Sequence, residues 1–166
     1  MNYIYRKEYM DFLIRNKDRQ IIKVVSGIRR CGKSTIFEMK NGVSPEQLIN
    51  INFEELAFEA MKDYKTLYDY LSSRLLPDRK NYIFLDEIQH VDQFERVVDS
   101  LFIKSNVDLY ITGSNAWFMS GELATLLTGR YIELQMLPLS FKEYCQGMEN
   151  LGIDEPPKKL FDQYLT

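Results

Sequence analysis

Gly27-Ile28-Arg29-Arg30-Cys31-Gly32-Lys33-Ser34-Thr35 is the stretch on which the reading of this chain turns. It fits G-x-x-x-x-G-K-[ST], the spacing of a phosphate-binding loop, or Walker A motif. Ile21-Ile22-Lys23-Val24-Val25-Ser26 precedes it, a short β-branched apolar run that reads as a buried strand. Thr35-Ile36-Phe37-Glu38-Met39-Lys40 follows and can start a helix, which Asn41-Gly42 would stop after about two turns. Strand, glycine loop and helix is the context in which such a motif binds phosphate.

Anion binding explains the residue types. Gly27 and Gly32 let the backbone turn with its N–H groups facing inward, where a Cβ would obstruct. Those amides and the free N–H groups of the helix N-terminus form a nest for the α- and β-phosphates. Lys33 adds a mobile point charge for the β/γ-phosphates, and the Ser34 hydroxyl is a ligand type for Mg²⁺. Gly27, Arg30, Cys31, Gly32, Lys33, Ser34 and Thr35 are therefore expected around a bound nucleotide. The spacing does not require Arg29 and Arg30 for phosphate binding, so pairing with Glu54, Glu55 or a partner is the alternative for them. Cys31 is expected to be exposed and open to alkylation when no nucleotide is bound.

The second element is Tyr82-Ile83-Phe84-Leu85, an apolar strand running straight into Asp86-Glu87. A carboxylate at the end of a buried strand is costly unless a cation waits there. Downstream of a phosphate loop that cation is Mg²⁺, held by Asp86 together with Ser34. Glu87 can then polarise a water for in-line attack on the γ-phosphate. A further strand, Val107 to Ile111, ends in Thr112-Gly113-Ser114-Asn115 on the same expected edge. Its small polar groups can sense the γ-phosphate, Asn115 ahead of Ser114, or simply form a turn. Arg130 follows Gly129 before a fifth strand, Tyr131 to Met136. It either reaches a γ-phosphate, in cis or from a neighbouring subunit, or pairs at the surface with Glu133.

The remaining pattern alternates strands and helices, which implies a layered α/β domain with parallel pairing. Tyr5, Tyr9, Phe12 and Leu13 share one face of an N-terminal helix. Leu48 to Phe53 reads as strand two. Tyr64, Leu67, Tyr68, Leu71 and Leu75 form an amphipathic helix that Pro77 ends. Asp92 is expected to cap the helix carrying Phe94, Val97, Val98 and Leu101, with Glu95 completing a capping box. Glu122 to Leu127 reads as a short helix. Ser140 and Glu143 form another capping box, on a helix that Gly147 closes, and Pro156 to Leu165 looks helical. Residues 1–150 read as the phosphate-loop domain with its N-terminal helix, and 151–166 as the start of a truncated helical region.

The chain has 166 residues, 45% hydrophobic and 27% charged, enough for one domain with a sizeable core. A net charge of -3 leaves no overall electrostatic footprint for DNA. Two distant cysteines, Cys31 and Cys145, make neither a disulfide framework nor a metal spacing, and His90 is the sole histidine. No signal peptide or membrane-spanning run is legible, so the expectation is a cytoplasmic protein without a membrane partner.

G-I-R-R-C-G-K-S, I-F-L-D-E-I-Q, Y-I-T-G-S-N, L-T-G-R-Y and L-P-L-S-F-K-E-Y, in this order, resemble the bacterial and archaeal AAA-type ATPases. The resemblance covers essentially the whole chain. It implies the additional-strand class of phosphate-loop fold, an α/β three-layer core with a parallel five-stranded sheet in the order 5-1-4-3-2. It also implies an ATP hydrolase using ATP and Mg²⁺. Gly32, Lys33 and Ser34 would form the phosphate loop, Asp86 and Glu87 would hold Mg²⁺ and water, Asn115 or Ser114 would be the sensor, and Arg130 the Gly-Arg arginine. Members of the family are more than twice as long and usually carry a C-terminal nuclease-like domain. Their helix after the loop is longer by about two turns. The alternative is a nucleotide-gated binding module, DNA-associated or not, with little hydrolysis of its own. A small-molecule kinase is disfavoured because no Arg-rich lid is visible. A GTPase is disfavoured because Asn16-Lys17-Asp18 precedes the loop.

Overall fold

The computed structural model describes residues 4–38, 43–114 and 122–165. Asn41-Gly42, the expected helix stop, and Asn115, the expected sensor, lie outside them. The apolar run before the glycine loop forms β1 (Ile22–Gly27), and every residue in it is buried. The second such run forms β3 (Asn81–Asp86), also buried throughout. Strands buried on both faces need cover on both, which a parallel sheet with helical crossovers supplies.

Among the described residues five strands form one sheet in the order β2-β3-β4-β1-β5, where β2 is Leu48–Asn52, β4 Val107–Ser114 and β5 Tyr131–Met136. Every pairing is parallel. Read from the other edge this is the expected 5-1-4-3-2. All strands thus end on one edge, and the register sets Gly27 beside Ser114 and Asn52 beside Asp86 there.

Helices α1 (Lys7–Asn16) and α2 (Lys33–Glu38) cover one face. Met10, Leu13, Val25, Ile36, Phe84 and Tyr110 form the core on that side. Helices α3 (Tyr64–Arg74), α4 (Phe94–Phe102) and α5 (Glu122–Leu127) cover the other through Leu67, Leu71, Val97, Leu101 and Leu127, against Val24, Ile51, Leu85 and Ile111. Two further helices, α6 (Phe141–Asn150) and α7 (Pro157–Tyr164), pack on each other. Phe141 meets Phe161 edge-on at 5.1 Å, and the Tyr164 hydroxyl donates to the Leu139 carbonyl at 2.7 Å.

Several expectations are corrected. The first helix begins at Lys7, leaving Tyr5 outside it and 49% exposed, and Met10 takes the inward position instead. Asp92 does not cap α4. Gln93 occupies the cap position at φ 49° without a side-chain cap bond, one residue past Asp92, whose amide donates to the Lys62 carbonyl at 2.9 Å; a 3-10 turn (Ile88–His90) precedes it. Gly147 does not close its helix. It sits inside α6, where a Cβ would come within 2.5 Å of the Ile4 side chain, so close packing rather than termination explains the glycine. The Ser140–Glu143 capping box is present.

On the α1 face the strands also carry a sealed polar cluster near their N-terminal ends. Lys23 is fully buried and donates to Asp108 and to the Arg19 carbonyl at 2.7 Å. The other Asp108 oxygen accepts from the Asp18 amide at 2.8 Å and the Tyr110 hydroxyl at 3.1 Å. Tyr82 donates to Asp18 at 2.7 Å. Burial pulls the Lys23 pKa down, against the pull of Asp108, and pushes both tyrosines up.

Candidate functional site

Every second residue of a strand faces the same way. Along β3, Tyr82, Phe84 and Asp86 therefore line one face. Along β4, Asp108, Tyr110 and Thr112 line the same face beside them. Phe84 stacks on Tyr110 at 4.5 Å and separates the sealed cluster from Asp86 and Thr112. The latter pair lies at the C-terminal edge, where the glycine loop also emerges.

The loop has the backbone that its glycines allow. Gly27 sits at φ 155° and Gly32 at φ 93°, with Arg30 at φ 65°. A Cβ on Gly27 would stand 2.6 Å from the Met136 carbonyl oxygen and 2.7 Å from Cys31 Sγ, so only glycine fits. Cys31 is 4% exposed, which corrects the expectation of an open thiol: it packs inward between Gly27 and β5. Lys33 Nζ, 5% exposed, donates to the carbonyls of Gly27 at 3.1 Å and Ile28 at 3.2 Å and lies 3.5 Å from Glu87 Oε1.

Ser34 Oγ is 2.5 Å from Asp86 Oδ2, and Thr112 Oγ1 donates to Asp86 Oδ1. Asp86 is 3% exposed, and among the described residues it makes no ion pair. A buried carboxylate flanked by hydroxyls and lacking a counter-charge suits a hard divalent cation. Mg²⁺ in such sites takes one or two carboxylates, with waters and substrate phosphates completing its shell. Ser34 and Asp86 are the residues that could hold it. Glu87 stands in the left-handed region at φ 57°, an arrangement costing about 1–3 kcal/mol outside glycine. Its amide donates to Thr112 Oγ1 at 2.9 Å, and Gln89 Nε2 donates to its carboxylate at 2.6 Å. A cleft of about 500 Å³ opens over these groups, lined by Arg30, Gly32, Lys33, Ser34, Thr35 and Glu87, with the Arg29–Glu54 ion pair at its rim.

Of the expected site residues, the structure brings Gly27, Gly32, Lys33, Ser34, Asp86 and Glu87 together. Arg30 and Thr35 line the cleft as well, whereas Cys31 faces the core. Arg130 is elsewhere. It precedes β5, and its carbonyl accepts from the Ile22 amide at 2.9 Å, at the start of β1. At about 3.3 Å per residue, the length of β1 separates it from the loop, so it cannot reach a phosphate in its own chain. Its guanidinium pairs with Asp99 at 2.9 Å rather than with Glu133, which accepts from Ser26 instead.

Three groups escaped the sequence reading. Thr112 was grouped with its neighbours, yet it is the one that joins Asp86 to the Glu87 amide. Gln89 braces Glu87 from two residues on. Arg6 holds the Cys31 carbonyl from 25 residues away, and no local pattern announces such a bond.

The family described as "AAA domain" matches residues 19–145. An uncharacterized protein of Haemophilus influenzae is 37% identical over 168 residues, covering 97% of this chain and 42% of that protein. Uncharacterized protein MJ1544 of Methanocaldococcus jannaschii is 38% identical over 137 residues, covering 81% of this chain and 29% of its own length. The chain thus spans less than half of each relative. Among solved structures, a closed-state reconstruction of Hsp104 with ATPγS and casein superposes with a TM-score of 0.60 at 16% identity, over 89% of this chain and 29% of that one. PCH-2 of C. elegans superposes at 0.56 and 14% identity, over 90% of this chain and 47% of that one. At such identities the likeness concerns the fold. Sheet order, glycine loop and the family match together place this chain in the AAA domain family of phosphate-loop proteins.

Proposed function

We infer that this chain is a Mg²⁺-dependent ATP hydrolase whose cycle drives a change in the remainder of a longer protein or in a partner. The observation that carries this reading is the 2.5 Å approach of Ser34 to Asp86, with Lys33 and Glu87 adjoining at the same lip. Ser34 and Asp86 would hold Mg²⁺, which would supply positive charge against the charge developing on the phosphates. The chain's own residues do the rest. The loop amides and Lys33 hold the phosphates, Lys33 exchanging its two carbonyl partners for phosphate oxygens. That exchange also frees Glu87 from the ammonium, leaving its carboxylate to accept a proton from an attacking water. Ser114 or Asn115 would sense the γ-phosphate from the adjoining strand end. Residues 1–150 would be the ATP-binding unit, with 151–166 leading into whatever follows.

A specific observation favours a second reading. Arg130 stands at the opposite edge of its own sheet from the cleft, so a lone chain does not bring this arginine to the γ-phosphate. Such a chain would bind and gate on nucleotide with little hydrolysis until a second copy supplied Arg130 in trans. This reading makes a homo-oligomer, with ATP and ADP as ligands, the active form. DNA association gains no support from the charge, and among the described residues no helix is long and apolar enough to cross a membrane. Phosphate release by the native chain and by Glu87→Gln, measured across protein concentration, separates the two. Turnover abolished by Glu87→Gln supports hydrolysis, and turnover rising with concentration supports trans action. ATP binding without turnover at any concentration leaves the gating module.

A further inference from the structure

Among the described residues Arg6 stands out beyond the cleft, with five side-chain hydrogen bonds. It is 8% exposed and stands just before α1. One terminal nitrogen donates to the Cys31 carbonyl at 3.0 Å and to the Leu137 carbonyl at 2.9 Å. The other donates to the Pro138 carbonyl at 3.2 Å and to Glu143 Oε2 at 3.2 Å, and Nε donates to Glu143 Oε1 at 2.8 Å. Its guanidinium also lies 4.3 Å over the Tyr9 ring. Five donors in a rigid fork are the property that distinguishes Arg from Lys, and this site uses every arm.

The bond to Cys31 has a directional consequence. In a planar trans peptide the carbonyl and the following N–H point opposite ways. Arg6 draws the Cys31 carbonyl toward the buried side, so the Gly32 N–H is turned toward the cleft that Gly32 lines. We propose that Arg6 is a positioning residue for the phosphate loop: it fixes the Cys31–Gly32 peptide with its N–H toward the phosphates and fastens the loop to residues 137–143. The second part follows from the same guanidinium, because a movement of the loop at Cys31 must pull on the Leu137 and Pro138 carbonyls or break a bond. The functional half rests on the reading of the loop as a phosphate cradle, while the structural half does not.

The test uses Cys31 as a reporter in a Cys145→Ser background, where it is the sole thiol. Two quantities are measured: the rate of Cys31 reaction with Ellman's reagent without nucleotide, and the affinity for fluorescent mant-ADP with Mg²⁺. A charged hydrogen bond of this kind is worth enough that Arg6→Ala should raise the thiol rate and weaken mant-ADP binding by about tenfold each, with the circular dichroism spectrum retained. Glu143→Gln, which removes the carboxylate charge but spares the Cys31 bond, should lower the melting temperature while leaving both readouts within about twofold of wild type. A folded Arg6→Ala with unchanged thiol rate and affinity overturns the proposal. So does Glu143→Gln if it raises the thiol rate as much as Arg6→Ala does, since general loosening would then account for both. Wild type that binds no mant-ADP defeats the phosphate-cradle reading alone, and the thiol rates still decide the placement of the loop by Arg6. If Arg6→Ala does not fold, Arg6→Lys keeps the charge but cannot reach every acceptor, and an unchanged thiol rate in it is equally fatal.

Discussion

The sheet carries two polar clusters on one face, and they are built for opposite ends. Near the N-terminal edge, Lys23, Asp108, Tyr82 and Tyr110 are buried and find their partners in one another and in the turn after α1, where exposed Asp18 accepts from Tyr82 and donates its amide to Asp108. At the C-terminal edge, Lys33, Ser34, Asp86, Glu87 and Thr112 also touch one another but open onto a cleft. The sealed cluster pairs its cation with a carboxylate and with the Arg19 carbonyl, which the Ile21 amide also reaches at 2.8 Å. Among the described residues the open cluster pairs Asp86 with no basic side chain, and it occupies Lys33 with loop carbonyls, partners that a phosphate can displace. Burial and charge alone would not tell the two apart; unfinished pairing beside an opening does.

Breaking the sealed cluster should give the largest effect. Asp108→Ala strands Lys23 in the core and should cost about 3–5 kcal/mol in urea unfolding at neutral pH. Where that variant is still folded, its nucleotide affinity should match wild type. Next comes the open cluster, where the cost should fall on chemistry instead. Glu87→Gln should lower phosphate release by about 100-fold with an unchanged melting temperature, since a general base contributes on that scale. A Glu87→Gln variant as destabilised as Asp108→Ala would erase the contrast between the clusters. Gly27→Ala sharpens it from the backbone side: the added methyl meets Met136 and Cys31, and nucleotide binding should fall by about tenfold or more.

The smallest effect lies at the staple joining the open cluster to α6. Burial would raise the Glu143 pKa, but bonds from Arg6 and Ser140 outweigh it and hold the carboxyl below its ordinary 4.5. A folded-state pKa that is depressed supplies stability above the unfolded value and loses it as pH falls through the folded one. Unfolding free energies of wild type and Glu143→Gln in urea should therefore differ by about 1 kcal/mol at pH 7 and converge as the pH falls from 4.5 through the depressed folded-state value.

How far these clusters can be read from sequence follows from the range of their contacts. β1, β3, the turn glycines and the acids after β3 are local patterns, and each stands where its run of residues puts it. The sheet order came from resemblance, and the parallel register then brings Gly27, Asp86 and Ser114 to one edge. Arg130 was read as standing before β5, which in a parallel sheet sets it at the edge opposite the loop; the expectation followed the Gly-Arg motif instead of that geometry. The Lys23–Asp108 pair, separated by 85 residues, has no signature beyond a charged residue in each of two apolar strands. Arg6 and Glu143, 137 residues apart, have none at all until the fold closes. The cap at Gln93 eluded the pattern because Asp92 is tied through its amide to the distant Lys62 carbonyl, a contact with no local signature.

The most direct test of the central claim is an equilibrium titration of the wild-type chain with mant-ADP, with and without Mg²⁺, beside Lys33→Ala and Asp86→Ala. The account predicts saturable binding by wild type, weakened at least about tenfold in Lys33→Ala, and a Mg²⁺-dependent gain in affinity that Asp86→Ala abolishes. Equal affinity in all three proteins, or a Mg²⁺ effect indifferent to Asp86, would contradict it.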